Sequence, residues 1–457
     1  MLYLTAARTA CFATESSVSD TILISLILEG GPDFRHAFVP AFDSIPDSYG
    51  YSFWKARARS HDLDPADDQS LQDRWNEYLH LQVGTTQLGI HPSCDWLKNQ
   101  FGQGNVAIIN NVFGSQNRDH SHSTVILESA NMSAGANETD QSGWGGRLSH
   151  ACGTNVVSST HAIRQFCYGP HPSDPMDHDN SNVIDGSDSR KMGLYEYETD
   201  LGNDEWRWNR EGIMSRALKS YYAAKAREMK TSSPYHQIIQ HEQSVRLFGR
   251  LVNERLKDIA IPETIANLYE PESPSRLNSL YFGGQIRNIY DTLACEDILN
   301  ANVISTDYGG WDHHQNLKSG IEPMIGDIFG TGRGLDALFA ELDQNQPGMA
   351  PRIVILVYGE FGRQLADNGG YGTDHGVGNS VLLIGTNVNG GIYGDMFPQS
   401  EIDRFTEPGT DIEGRTSTNQ LIGRICEQVK PGSAVNVVPG WQNTDLEQGV
   451  DLSVLFS

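Results

Sequence analysis

The chain has 457 residues, enough for one large α/β domain with insertions or for two domains. Apolar residues make up 38% and charged residues 20%, which permits a packed core and excludes wholesale disorder. A formal net charge of −25 repels phosphate backbones and argues against a nucleic-acid partner, while leaving room for a local positive pocket.

The first twenty residues are mildly apolar and rich in small side chains, with Arg8 and few other charges, like the end of an export signal. A frayed terminus of a cytoplasmic protein would read the same way. Residues 21–457 are then one elaborated domain, with no internal repeat and no apolar run long enough for a membrane span.

Thr21 to Leu28 is nearly continuous in apolar residues, the pattern of a strand covered on both faces. It ends at Gly30-Gly31-Pro32-Asp33, which places a carboxylate just past the strand. Asp33 is either one of several acids on a sheet rim or the cap of the following turn. Ser44 to His91 is polar and irregular. Val106 to Val112 predicts a second strand, followed by Asn117-Arg118-Asp119-His120-Ser121-His122-Ser123-Thr124. The hydroxyls there can start a helix, with backbone N–H groups and Arg118 available to an anion. A hydroxyl beside a metal is a nucleophile candidate; otherwise it is an ordinary N-cap.

Asn155 to Asn209 is rich in Asp, Ser, Asn and Gly without apolar periodicity, and reads as a long surface insertion over a site. Three helices are predicted at Ile213–Met229, Tyr235–Ala260 and Ser275–Leu293. A weaker strand, Ile298 to Thr306, leads into Gly309-Gly310-Trp311-Asp312-His313-His314. In an extended segment Asp312 and His314 point the same way, so a carboxylate and an imidazole can share one ion. That mixed set suits zinc or manganese better than calcium, although calcium stays in view.

A helix is predicted over Ile321–Leu342, then the strongest strand, Ile353 to Val357. Glu360 and Arg363 follow at once, and Arg363 offers a planar fork to an anionic oxygen. Gly369, Gly370, Gly372, Gly376 and Gly378 surround Asp374-His375 before the last predicted strand, Val381 to Ile384. Strands alternating with helices predict a mainly parallel sheet with helices on both sides. Asp33, Asp312 and Glu360 would then share one rim, where they repel one another unless a cation intervenes.

Six cysteines stand at 11, 94, 152, 167, 295 and 426, with no CxxC pair. Cys152 and Cys167 could close a loop in an oxidising compartment; the other reading is that all are small buried hydrophobes, preferred for Cys295 and Cys426.

Taken in order, six fragments resemble the bacterial proteins called DUF1501. They are Gly-Gly-x-Asp at Gly30–Asp33, Asn-Arg-x-His at Asn117–His120 and Gly-Trp-x-Gly-Arg at Gly143–Arg147. Gly-Gly-Trp-Asp-x-His at Gly309–His314, Glu-Phe-Gly-Arg at Glu360–Arg363 and Gly-Thr-Asp-His-Gly at Gly372–Gly376 follow. That family is grouped with the alkaline phosphatase and sulfatase superfamily. The resemblance implies an alkaline-phosphatase-like three-layer α/β/α sandwich with a mainly parallel central sheet. It implies a divalent metal held by Asp33, Asp312, His314, Glu360 and His375, and anion binding by Arg118 and Arg363. Where the family often has Ser, this chain has Asp119: either that nucleophile is lost, or the catalytic group is Ser121 or a neighbour, Asp119 or His120, and Asp119 could instead be one more ligand.

The expected activity is hydrolysis of a phosphate or sulfate ester, on a small anionic ester or a sulfated or phosphorylated glycan, in the periplasm or outside the cell. The alternative from another class is a non-catalytic secreted or surface protein whose metal site is degraded or structural. A metal-dependent phosphomutase or lyase on the same scaffold is a third.

Overall fold

The uninterrupted apolar run of the first strand reflects burial on both faces. β1 (Ile22–Glu29) sends Ile22, Ile24, Leu26 and Leu28 into one core and Leu23 and Ile27 into another. In the computed structural model, which describes residues 20–84, 86–171, 177–192, 195–198, 205–208, 213–227, 234–438, 440–441 and 450–456, β1 lies mid-sheet. The expected export-signal remnant falls outside these residues, apart from Asp20.

The other strands of this nine-stranded sheet are β2 (Val106–Phe113), β3 (Asn155–Ser158), β4 (Val183–Asp185), β5 (Ala301–Gly309), β6 (Ile353–Tyr358), β7 (Asn379–Ile384), β8 (Gly391–Tyr393) and β9 (Thr416–Ser417). The order is β8-β2-β7-β6-β1-β5-β3-β4, with β9 also paired to β2. β1 runs parallel to both β5 and β6, β5 to β3, and β3 to β4. β7 is antiparallel to β6 and to β2, and is the one reversed strand, so β2 points the same way as β1.

Helices cover both faces, giving three layers, as expected for a mainly parallel sheet. Eleven helices of eight or more residues are described: α1 (Tyr49–Arg57), α2 (Asp68–Glu77), α3 (Asp95–Gly102), α4 (His120–Ser129), α5 (Trp144–Cys152), α6 (Ile213–Arg227), α7 (Pro234–Lys257), α8 (Leu280–Ala294), α9 (Leu317–Phe329), α10 (Gly334–Asn345) and α11 (Thr418–Val429). α8, α9 and α10 fill one core through Phe282, Ile286, Ile325, Phe329 and Leu338. α5 and α11 fill the other through Trp144, Leu148, Ile422 and Ile425. None of the described helices is long and apolar enough to cross a membrane.

Three expectations are corrected. The predicted helix Ile321–Leu342 is two, because Gly330 and Gly332 (φ +70°) break it between α9 and α10. The polar stretch Asn155–Asn209 is not wholly an insertion: it contributes β3 and the edge strand β4, both too short to show a pattern. Cys152 and Cys167 are both free, and Cys167, like Cys94, Cys295 and Cys426, is buried.

Parallel pairing decides where the chemistry sits. The chain leaves β1, β2, β5 and β6 at the same rim, so Asp33, His120, Asp312 and Glu360 all follow strand ends on that side.

Candidate metal centre

The loop after β5 is locked before it reaches Asp312. Trp311 is buried, and its N–H donates to the carbonyl of Glu29 at 2.9 Å. Gly30 (φ +114°) lies beneath it; a Cβ there would stand 2.5 Å from the Asp312 nitrogen, so the close approach needs glycine. The loop is turned rather than extended, yet Asp312 and His314 still aim at one point, with His314 Nε2 at 3.0 Å from Asp312 Oδ1.

The glycine-rich segment arrives from the other side. Gly362–Arg363 and His375–Gly376 pair as a short ribbon that carries His375 inward. Its Nε2 lies 3.0 Å from the same Asp312 Oδ1 and 2.9 Å from His314 Nε2. His120, in the first turn of α4, places Nε2 at 3.4 Å from Asp312 Oδ2. Phe361 backs this assembly, its ring centroid 4.5 Å from that of His375 and 4.9 Å from that of His120.

The outer ring nitrogens settle which inner nitrogens carry lone pairs. His375 Nδ1 lies 2.8 Å from the carbonyl of Arg118, which can only accept, so Nδ1 carries the proton. His314 Nδ1 lies 2.9 Å from Asp374 Oδ1, and His120 Nδ1 lies 2.8 Å from Glu360 Oε1. In each neutral imidazole Nε2 is therefore an acceptor, and all three converge on a carboxylate that also only accepts. Acceptors 2.9–3.0 Å apart with no proton between them repel. Ligand atoms on a sphere of roughly 2.1 Å radius stand about 3.0–3.4 Å apart, so a metal ion fits this arrangement. The outer acceptors are the orienting partners that metal-bound histidines carry.

Charge supports the same reading. Burial opposes ionisation of Asp312, but the hydrogen bond and the charge of Arg363 outweigh it and hold the carboxyl well below the usual range. The hydrogen bond to Glu360 raises the His120 pKa, so binding of an ion at Nε2 would have to displace a proton there.

The expected site residues divide. Asp312, His314 and His375 come together as expected. His120, expected as a catalytic group, joins the group that could hold an ion, its ring nitrogen within 4.8 Å of ligand atoms of Asp312 and His375. Glu360, expected as a ligand, is buried and orients His120, its Oε1 also accepting from the Gly30 N–H at 2.9 Å. Asp33 stays apart: its carboxylate accepts from the buried Arg57 of α1 and from Thr373 Oγ1 at 2.9 Å. Burial raises its pKa, and Arg57 outweighs that and lowers it.

Arg363 is a tie between loops rather than an anion binder. It is 1% exposed and donates to the carbonyls of Gly30, Gly31, Trp311 and Thr373 and to Asp312 Oδ1. Asp119 is the N-cap of α4, accepting from His122 N at 2.9 Å. Ser121 is exposed and makes no hydrogen bond to the cluster. Arg118 remains exposed at the rim, paired with Asp411. Asp374 and Asp411 were missed; adjacency to His375 was the available signal for Asp374, and Asp411 had none.

His36, His91 and Glu322 form a second convergent group. Here proton placement points the other way. His91 Nδ1 accepts from the Ser93 N–H at 3.2 Å, so its Nε2 carries the proton and donates towards Glu322. Arg74 also donates to Glu322 Oε1. Donors around one carboxylate make a hydrogen-bonded hub, not a metal site.

The family described as "Protein of unknown function (DUF1501)" matches residues 296–425, the part that carries Asp312, His314, Glu360, Asp374 and His375. No curated protein matches the chain. Among solved structures, one similar chain is a Bacteroides thetaiotaomicron protein from work on glycosaminoglycan metabolism by a versatile core genetic locus. It is 11% identical, over 92% of this chain and 74% of that chain, with a TM-score of 0.30. Another is a Bacteroides fragilis protein assigned as a sulfatase, 11% identical, over 97% of this chain and 79% of that chain, with a TM-score of 0.31.

Proposed function

We propose that this chain is an exported, metal-dependent hydrolase of phosphate or sulfate esters, its ion held by Asp312, His120, His314 and His375. One observation carries the reading: three imidazole nitrogens with inward-facing lone pairs meet on one acceptor-only carboxylate. Three nitrogens and one carboxylate favour zinc or manganese over calcium, which prefers oxygen cages. A divalent ion there supplies Lewis acidity to an ester oxygen.

The chain's own residues do the rest. Glu360 and Asp374 keep the proton of His120 and His314 on Nδ1, facing away from the centre. Arg363 holds Asp312 ionised and fixes three loops. Arg118 is the basic side chain that can reach an anionic substrate, a small ester or a sulfated or phosphorylated glycan. Location in the periplasm or outside the cell belongs to the same proposal.

The exposed, uncoupled Ser121 and the capping Asp119 favour a second reading, in which the metal centre is structural and the protein binds rather than cleaves. Metal analysis and ester assays separate them. Purified protein should retain close to a stoichiometric amount of zinc or manganese and cleave aryl phosphates or sulfates, and Asp312→Ala should lose both. Bound metal without turnover on any ester supports the structural reading; no bound metal ends both.

A further inference from the structure

Of the arginines that reach this rim, Arg57 and Arg363 are buried and committed to carboxylates and carbonyls. Arg118 differs. Its carbonyl accepts from His375 Nδ1 at 2.8 Å, which puts its backbone against the metal centre. Its side chain is 41% exposed, and Asp411 is the acceptor its guanidinium meets among the described residues.

Asp411 is held in place by its neighbours. The carbonyl of Thr410 accepts from Leu365 N at 3.0 Å, and that of Ile412 accepts from Gly378 N at 3.2 Å. Both donors lie just past the ribbon that carries His375. Arg404 Nη2 donates to the carbonyl of Asp411 itself at 2.6 Å. The Asp411 side chain is 18% exposed, and its buried Oδ1 has no hydrogen-bond partner among the described residues. A fixed carboxylate with one oxygen on an arginine and the other unsatisfied is a costly arrangement for a merely structural pair. Burial also raises its pKa, against the pull of Arg118.

In a chain of net charge −25, a basic group beside a metal centre is the place for an anionic substrate. We infer that Arg118 is the anion-recognition arm of this site and that Asp411 is its internal competitor, occupying the guanidinium until a tetrahedral oxyanion takes its place. The ligand class is phosphate or sulfate, free or as the ester head group. This rests on the hydrolase reading for the identity of the ligand. It goes beyond that reading by making Asp411 a residue that sets apparent affinity without touching the metal. A carboxylate on a partly exposed guanidinium is a weak competitor. Removing it should therefore tighten anion binding by about two- to five-fold rather than by orders of magnitude.

The test is calorimetric titration of the full chain with inorganic phosphate and with inorganic sulfate, on wild type, Asp411→Asn, Arg118→Ala and the double variant. Metal content and thermal midpoint are measured on the same samples. Asp411→Asn should bind tighter by the stated factor, Arg118→Ala should bind at least about ten-fold more weakly, and Asp411→Asn should have no effect in the Arg118→Ala background. Asp411→Ser replaces Asp411→Asn if the latter fails to fold. Equal affinity in wild type and the Asp411 variant overturns the inference, as does a gain that survives loss of Arg118, or no anion binding by any variant. Failure with metal retained refutes the competitor role alone; samples without metal refute the hydrolase reading instead, and the Arg118–Asp411 coupling is then read on the metal-free protein.

Discussion

At the scale of single residues, the three histidines around Asp312 are oriented by groups outside the cluster. Asp374 shows this most directly. Its Oδ1 accepts from His314 Nδ1 and from Asn368 Nδ2 at 3.0 Å, and hydrogen bonding from Asn368, then from His314, keeps it ionised. Asp374→Asn replaces an acceptor by a group that can also donate, so His314 loses the fixed proton on Nδ1. Metal affinity should fall by roughly 10- to 100-fold, while the thermal midpoint of the chelated protein stays near that of wild type because the side chain is at the surface. Competition titration against a metal-binding dye would measure it; unchanged affinity would show that Asp374 does not orient His314. The same logic explains the exchange of roles between His120 and Glu360. Both were visible as chemistry-bearing residues at strand ends, but whether a carboxylate binds an ion or orients a histidine depends on distances that residue types do not carry.

At the scale of elements, four strand ends deliver four loops to one rim, and the loops must then interlock. The tightest crossing is at Gly30, where any Cβ would press on the backbone of Trp311 and Asp312 and where φ is +114°. Gly30→Ala should destabilise the fold by about 1–3 kcal/mol, from strain at positive φ and from the clash, and should weaken metal binding by displacing Asp312. Chemical denaturation with and without metal would show both effects; a variant as stable as wild type would mean that the β5 loop can move aside. The long strands β1, β2, β5, β6 and β7 were legible because strands covered on both faces need unbroken apolar runs. β3, β4, β8 and β9 were not, since strands of two to four residues leave no periodic signal. The α9–α10 break was written in Gly330 and Gly332, but the apolar spacing on either side runs through them.

At the scale of the whole molecule, buried histidines make stability depend on pH. His36 is fully buried, and burial, partly offset by Glu322, draws its pKa down to about 4. His61 is also buried, with neither ring nitrogen partnered among the described residues, and burial draws its pKa far down as well. Between the ordinary histidine value of 6.5 and about 4, the unfolded chain binds protons that the folded chain refuses. Stability is therefore fully present above that range and is lost as pH falls through it, at up to about 1.4 kcal/mol per pH unit for each such histidine. Glu322 acts in the same direction at lower pH: burial opposes its ionisation, but His36, His91 and Arg74 hold its carboxyl well below the usual range. Denaturant midpoints measured with chelator between pH 7 and 4.5 should decline steadily, and His61→Gln should shallow the slope. A flat profile would mean that these histidines are solvated in the folded state.

The amino-acid order by itself determined the layered α/β architecture, the direction of the sheet and the set of acids and imidazoles at its rim. Apolar runs and strand–helix alternation are local properties, and parallel pairing follows from them. Only the tertiary structure decided which of those groups meet. It gave Asp33 to Arg57, Glu360 to His120 and Arg363 to the loop carbonyls, leaving three histidines around Asp312. The physical reason is that proton placement and ion sharing act over about 3 Å, between residues as much as 255 positions apart in the chain, such as His120 and His375.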